Sequence, residues 1–466
     1  MTGCAGGAFR AFVPEVLYAG GALRAGAALS VRDGAVAAVG PPAPGAEVVP
    51  LPRRALLPGL VSAHGHAFQR ALRGRPEQAP GARSFWSWRE VMYAAANGLG
   101  PDDLEAVARL AYLELARAGV TCVGEFHYLH LDPAGRAYAD PSELARRVVR
   151  AAREVGLRIV LLRAGYARAG HGLPPDPAQR RFVEPSPDVY LARLDALAAA
   201  LAGDPLASVG VAPHSVRACP APWIAALADA ARRRGLPLHV HAAEQLAEVD
   251  ACRLEHGLSP VQLLAREGAL DARTTLVHAI HVDDADVRLV GAARATVCAC
   301  PTTERDLGDG VVPADRLLAA GARLALGADA HVRADLLEEA RALELDLRLA
   351  RGARGVLGDP PGALAARLLE AATAGGMAAL GLAGGALAPG EPADFVLLDL
   401  DDPSLAGAAP EALLPGIVFG GSPRAVRATY VAGDPVVVDG RPAAGRPSDE
   451  DAVAGFRAAL RRLWGG

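Results

Sequence analysis

The sequence contains no lysine: its 48 basic residues are all arginine. That absence excludes a Schiff-base or pyridoxal-phosphate lysine, the lysine of a standard phosphate-binding loop, and a carboxylated lysine bridging two metal ions. Arginine in place of lysine, beside an excess of Ala, Gly and Pro, reads as genome composition. A surplus of charge is also missing, since 52 acidic residues leave a formal net charge of -4. Nothing in that balance favours nucleic acid or an anionic membrane as partner. No stretch is long and apolar enough to span a bilayer, and the opening MTGCAGGAFR lacks the charged start and apolar run of a signal peptide. A cytoplasmic protein is expected. Six scattered cysteines, Cys4, Cys122, Cys219, Cys252, Cys298 and Cys300, are expected as free, mostly buried thiols, with the Cys298/Cys300 pair as filler on a strand.

What is present suits an α/β chain. With 466 residues, 51% of them hydrophobic, there is material for one large core and a small accessory unit. Short alternating runs open the chain (FRAFVPEVLYAGG, GAALSVRDG, AVAAVG) and return near its end (ADFVLLDLDD, RAVRATYVAG, DPVVVDGRP). They predict a discontinuous β-sandwich built from residues 1–57 and 384–466. Between them lie eight β-like runs, LPGLVSAHGH, GVTCVGEF, LRIVLLRAGY, ASVGVAPHS, PLHVHAA, TTLVHAIH, ATVCACPTT and RLALGADA, each followed by room for a helix. Helices are expected over 101–118, 143–155, 220–234 and 333–351. Eight β-then-α units predict a closed (β/α)8 barrel over 58–383, whose chemistry sits at the C-terminal ends of its strands. The Pro-rich segment 164–186 reads either as a mobile loop over the site or as a passive surface excursion.

The strand ends carry the chemistry. His64 and His66 close the first strand at HGH, and the two-residue period of a strand points both imidazoles to one face. The fifth strand ends PLHVHAAEQ: His241 lies nearer the mouth and is the expected ligand, while His239, a layer deeper, reads as packed and hydrogen-bonded. The sixth and eighth strands add His278 and Asp329. His64, His66, His241 and Asp329 can close a metal shell around one water, and zinc lowers the pKa of such a water toward about 7. His278 is either a fourth nitrogen ligand or, the preferred reading, a neutral base that orients the nucleophile and exchanges protons with Asp329. One Zn2+ per subunit is expected, with Fe2+ as the alternative.

The pattern of HxH after strand one, His after strands five and six, Asp after strand eight, and a flanking β-sandwich resembles the amidohydrolase superfamily. The lysine-free chain resembles its mononuclear deaminase branch. The words HGHAFQRALRG, SFWSWREVMY, GEFHYLH, APHSVRA, HVHAAEQ and CPTTERDLGDG are similar to those of the formimidoylglutamate deiminases within it. The resemblance implies a small dicarboxylate substrate, N-formimino-L-glutamate, bound by Arg89 and Arg217 with help from Gln69 and Tyr128, and with His214 near the formimino group. It implies further that Glu244 relays a proton to the departing nitrogen, that Asp329 and His278 serve the attacking water, and that the enzyme is a homodimer of histidine degradation. Three words depart from the family pattern: GADAH lacks a serine, HGH replaces a serine-spaced pair, and LELDLRLARGARG lacks a tyrosine and an asparagine. The rival readings are a deaminase of purines or related heterocycles with the same ligands, and a non-catalytic metal-binding barrel.

Overall fold

A computed structural model of the chain describes residues 9–78 and 84–465, so Cys4 and most of the opening segment lie outside the described residues. Eight parallel strands form the central sheet: β1 (Leu60–Gly65), β2 (Val120–His127), β3 (Arg158–Gly165), β4 (Ala207–Pro213), β5 (Leu238–Ala242), β6 (Thr274–His278), β7 (Thr296–Ala299) and β8 (Arg323–Leu326). They pair in sequence order, and the two end strands meet: Asp329 N–H donates to His64 O at 3.1 Å, and His66 N–H donates to Asp329 O at 2.9 Å. The (β/α)8 barrel expected from the eight runs is therefore present. The run Ile159–Leu162 within RIVLLRAG is apolar without alternation because both faces are buried, one toward the barrel interior and one beneath helices.

The expected helices also form, as Pro101–Arg117, Glu143–Val155, Ala221–Arg234 and Leu336–Arg351. The last starts three residues later than the periodicity predicts, because the Asp335 carboxylate accepts the N–H groups of Leu337 and Glu338 and so caps it there. Three helices matter below: α1 (Phe85–Gly98), α2 (Pro101–Arg117) and α3 (Leu246–His256).

The flanking sheet has nine strands and joins the two ends of the chain. Strand Glu47–Pro58 runs parallel to Arg10–Ala19 on one side and antiparallel to Phe395–Asp399 on the other. Phe12, Leu17, Leu29, Leu56, Phe395 and Leu397 fill its interior, with the Phe395 and Tyr430 rings stacked at 4.5 Å. Beyond the expected strands, the C-terminal segment forms two helices that lie on the barrel. Pro410–Gly420 packs where Arg341 Nε donates to Val418 O, and Asp449–Trp464 lies against α2, fastened by Arg462 Nε to Asp103 at 2.7 Å. The second buries Ala452, Phe456 and Ala459, the helical spacing that a search for strands passes over. Among the described residues no helix is long and apolar enough to cross a membrane. Cys122, Cys219, Cys252, Cys298 and Cys300 are free and buried.

Candidate metal centre and active site

At the barrel mouth the side chains of His64, His66, His241 and Asp329 converge, one ligand atom of each lying within 4.8 Å of the others. His64 Nε2 and His66 Nε2 are each 3.4 Å from Asp329 Oδ1. Two ligands about 2.1 Å from a tetrahedral ion lie roughly 3.4 Å apart, so this spacing fits a divalent cation of zinc size. The tautomers fit as well. His66 Nδ1 lies 2.8 Å from Phe126 O and His241 Nδ1 lies 2.9 Å from His214 O. A carbonyl only accepts, so both Nδ1 atoms carry the proton and both Nε2 lone pairs face the centre. His64 is wholly buried, yet neither ring nitrogen has a hydrogen-bond partner. Burial lowers all three histidines, His64 to about 3, so each is a neutral imidazole. Burial acts to raise Asp329, but His64, His278 and His66 outweigh it and the carboxyl is held below its ordinary range.

Local backbone aims these groups. Gly327, just before Asp329, has no alternative, because a Cβ there would fall 2.7 Å from His64 O. Asp329 (φ 40) and His278 (φ 71) adopt the left-handed conformation that few non-glycine residues take, at the corners where strands turn into loops.

His278 is not within the four-residue ligand set. Its Nε2 stands 3.8 Å from Asp329 Oδ2 and 3.6 Å from Glu244 Oε1, while Nδ1 meets Glu304 Oε1 at 3.2 Å. Burial lowers its pKa, but the carboxylates of Glu244, Glu304 and Asp329 overcome that and hold it well above the ordinary value. Three carboxylates thus surround the ring that the sequence reading takes as a neutral base. Glu244 itself is raised by burial, against the lowering fields of His278 and Arg217. His239 behaves as the sequence suggests, with Nε2 2.8 Å from Ala379 O.

A cavity opens beside this cluster and brings together Gln69, Arg89, Tyr128, His214, Arg217, Glu244, His278 and Asp329. Gln69 Nε2 donates to Tyr128 Oη at 3.0 Å, and its Oε1 is buried without a partner. Arg89, on α1, lies over Trp86 at 4.5 Å and Tyr93 at 5.3 Å. Arg217, following β4, lies 5.7 Å over Phe85, and its Nε and Nη1 are buried and unpaired. The His214 ring stacks on His241 at 4.9 Å, and burial together with Arg217 pushes its pKa well below the ordinary value.

Sequence reasoning missed Glu304, Glu248 and the aromatic wall. Glu304 sits in the quoted word CPTTERDLGDG, yet an acid in the first turn of a helix ordinarily reads as a dipole partner. Its position against His278 is a tertiary fact. Glu248 is buried on α3, accepts the Glu244 N–H at 3.2 Å, and has its pKa pushed up to about 7 by burial against the opposing field of Arg217. Phe85, Trp88, Tyr93, Tyr166 and Phe182 line the cavity from three separate segments that no spacing links.

Residues 55–436 match the amidohydrolase family. Over 392 residues the chain is 44% identical to formimidoylglutamate deiminase of Pseudomonas aeruginosa, covering 83% of this chain and 85% of that one. It is 30% identical over 418 residues to a 5-methylthioadenosine/S-adenosylhomocysteine deaminase of Natronomonas pharaonis, covering 88% and 87% of the two chains. Among solved structures, an amidohydrolase from Brucella melitensis superposes with a TM-score of 0.89 at 33% identity, over 98% of this chain and 99% of that one.

Proposed function

Because the chain belongs to the amidohydrolase family, we propose that it hydrolyses the C=N bond of N-formimino-L-glutamate, yielding N-formyl-L-glutamate and ammonia. The observation that carries the dicarboxylate is Arg217: a guanidinium with two buried, unpaired nitrogens that faces the same cavity as the metal ligands. An unpaired buried cation is costly, and a bidentate carboxylate is the ligand whose geometry matches it. Arg89 offers a second cation on the same wall, for the second carboxylate.

Bound to His64, His66, His241 and Asp329, one divalent cation per chain, Zn2+ by the donor set, supplies the Lewis acidity that makes water nucleophilic at neutral pH. Asp329 Oδ2, on the His278 side, accepts the proton of the attacking water, and His278 Nε2 lies within reach to hold the oxygen in line. Glu244 gives the imino nitrogen one proton and recovers it from the hydroxyl of the adduct, and Asp329 passes on the proton it took from water, so that the nitrogen, now carrying both hydrogens of the water, leaves as neutral ammonia rather than amide. Gln69 and Tyr128, hydrogen-bonded to each other on the cavity lining, orient the substrate, and His214 stands near the formimino group.

The aromatic wall favours one second reading, a deaminase of heterocycles stacked between rings. Against it, two of the aromatics seat guanidiniums instead, Phe85 under Arg217 and Tyr93 under Arg89. Continuous ammonia detection with N-formimino-L-glutamate, N-formimino-L-aspartate, guanine and adenosine derivatives decides between them. Turnover of the first is expected, and turnover of a heterocycle without it sinks the assignment. The same reading places the enzyme in histidine degradation, in the cytoplasm and as a homodimer, the last of these checked by light scattering on the purified protein.

A further inference from the structure

Two buried tyrosines on the cavity wall, Tyr93 and Tyr166, and the buried Gln179 bonded to both have no part in the chemistry above. Tyr93 comes from α1, Tyr166 directly follows β3, and Gln179 ends the short turn Pro177–Gln179 within the segment 166–186. Gln179 Nε2 donates to Tyr93 Oη at 2.8 Å and to Tyr166 Oη at 2.9 Å. Gln179 Oε1 accepts the backbone N–H of Asp176 at 3.1 Å. A backbone N–H can only donate, so this last contact fixes which end of the amide carries the hydrogens. Both of those hydrogens are then engaged, one on each phenol oxygen.

Each tyrosine therefore accepts from Gln179 and cannot direct its own hydrogen back toward it. Even if one hydroxyl donates to the other, one hydrogen remains for the cavity, where Arg89 and Arg217 also face. Burial raises the Tyr166 pKa, and the fields of Arg217 and Arg89 act the other way. The hydroxyl thus stays protonated and shares its space with both cations.

We propose that Tyr93 and Tyr166, polarised and held by Gln179, form a neutral donor edge of the carboxylate subsite, and that Gln179 is its positioning residue. The inference rests on the dicarboxylate reading above. Arginine attracts any anion in the cavity, whereas hydroxyl hydrogens at fixed positions select an oxygen pair of carboxylate shape. The segment 166–186 then has a definite role, since it carries Tyr166 and Gln179 and is itself fixed. Arg181 donates to Leu131 O and Leu99 O, both at 2.8 Å, and Glu184 pairs with Arg163.

Gln179→Glu separates this role from a structural one, because it is nearly isosteric but replaces two donors with acceptors, turning both hydroxyl hydrogens away from the cavity. Gln179→Glu and Tyr93→Phe/Tyr166→Phe should each raise KM for N-formimino-L-glutamate roughly 10- to 100-fold, the weight of a hydrogen bond to a charged group. Meanwhile kcat should move by less than about threefold, as loss of uniform binding requires. Calorimetric titration with N-acetyl-L-glutamate should weaken in parallel. Wild-type turnover with an unchanged KM in both variants overturns the inference and leaves the function standing. A fall in kcat that follows a lowered melting temperature, with KM unmoved, also overturns it. Absence of wild-type turnover overturns the function reading and this inference with it.

Discussion

The barrel mouth and the flanking sheet treat buried polar groups in opposite ways. In the sheet they are paired: Ser30 Oγ accepts Ala43 N–H, Thr429 Oγ1 donates to Ala116 O, and Asp394 accepts from Arg158 and from Ala432 N–H. Unpaired Nε atoms there belong to Arg10 and Arg427, whose guanidiniums already bond through other nitrogens. At the mouth, His64 Nδ1, Gln69 Oε1, Arg89 Nε and two nitrogens of Arg217 are buried with nothing to bond. Each such group costs about 1–3 kcal/mol in an isolated fold. The sheet is arranged for stability, and the mouth for something that is not the protein.

That contrast can be broken most directly at Asp329. Asp329→Asn should lower turnover on the order of 10⁴-fold, the scale seen when a group that serves several roles in one step is lost. Elemental analysis should show reduced metal content. Retained activity at full metal loading would remove Asp329 from the chemistry. The mirror experiment is Phe395→Ala in the sheet core, which should cost about 3–5 kcal/mol in denaturant unfolding while leaving kcat/KM of the folded enzyme in place. If activity fell and stability held, the two regions would not be separable. Arg217→Met tests both sides at once. It should reduce kcat/KM roughly 10- to 100-fold without lowering the melting temperature, because the unpaired guanidinium is replaced by apolar volume.

The smallest effect is expected at Glu248. Its folded pKa is raised from 4.5 to about 7, so between those values the native state holds a proton that the unfolded chain has released. Stability from this group is therefore full at the acid end of the window and is lost as pH rises through it. Glu248→Gln should show a shallower fall in unfolding free energy over that range, and an unchanged slope would put the carboxylate outside the balance.

The barrel was legible because its signals are local. Alternation at HGH, apolar strand runs and capped helices each act within a few residues, and the strand-end rule converts them into a ligand list. The rest depends on closure of the ring. Glu304 reaches His278 across 26 positions, and Gln179 reaches Tyr93 across 86. Neither pairing leaves a trace in periodicity. The segment 164–186 was ambiguous for the same reason: its prolines suggest a loop, but what fixes it is Arg181 bonding to carbonyls 50 and 82 residues away. The surroundings of His278 were not legible, because two of its three carboxylate neighbours, Glu244 and Glu304, were assigned no place beside it.

The left-handed turns at the mouth carry a further implication. Ala243 (φ 54) and Ala279 (φ 52) are wholly buried alanines that follow the His241 and His278 strand ends directly, in a conformation glycine reaches at no steric cost. Keeping a methyl there costs about 1 kcal/mol each, yet it narrows what the backbone can sample, in the unfolded chain and beside the imidazoles alike. Replacing both by glycine would relax the corners and broaden the distribution of ring orientations. The chain thus exchanges local strain for reduced conformational entropy at the two positions where a histidine must hold its aim before any ligand arrives.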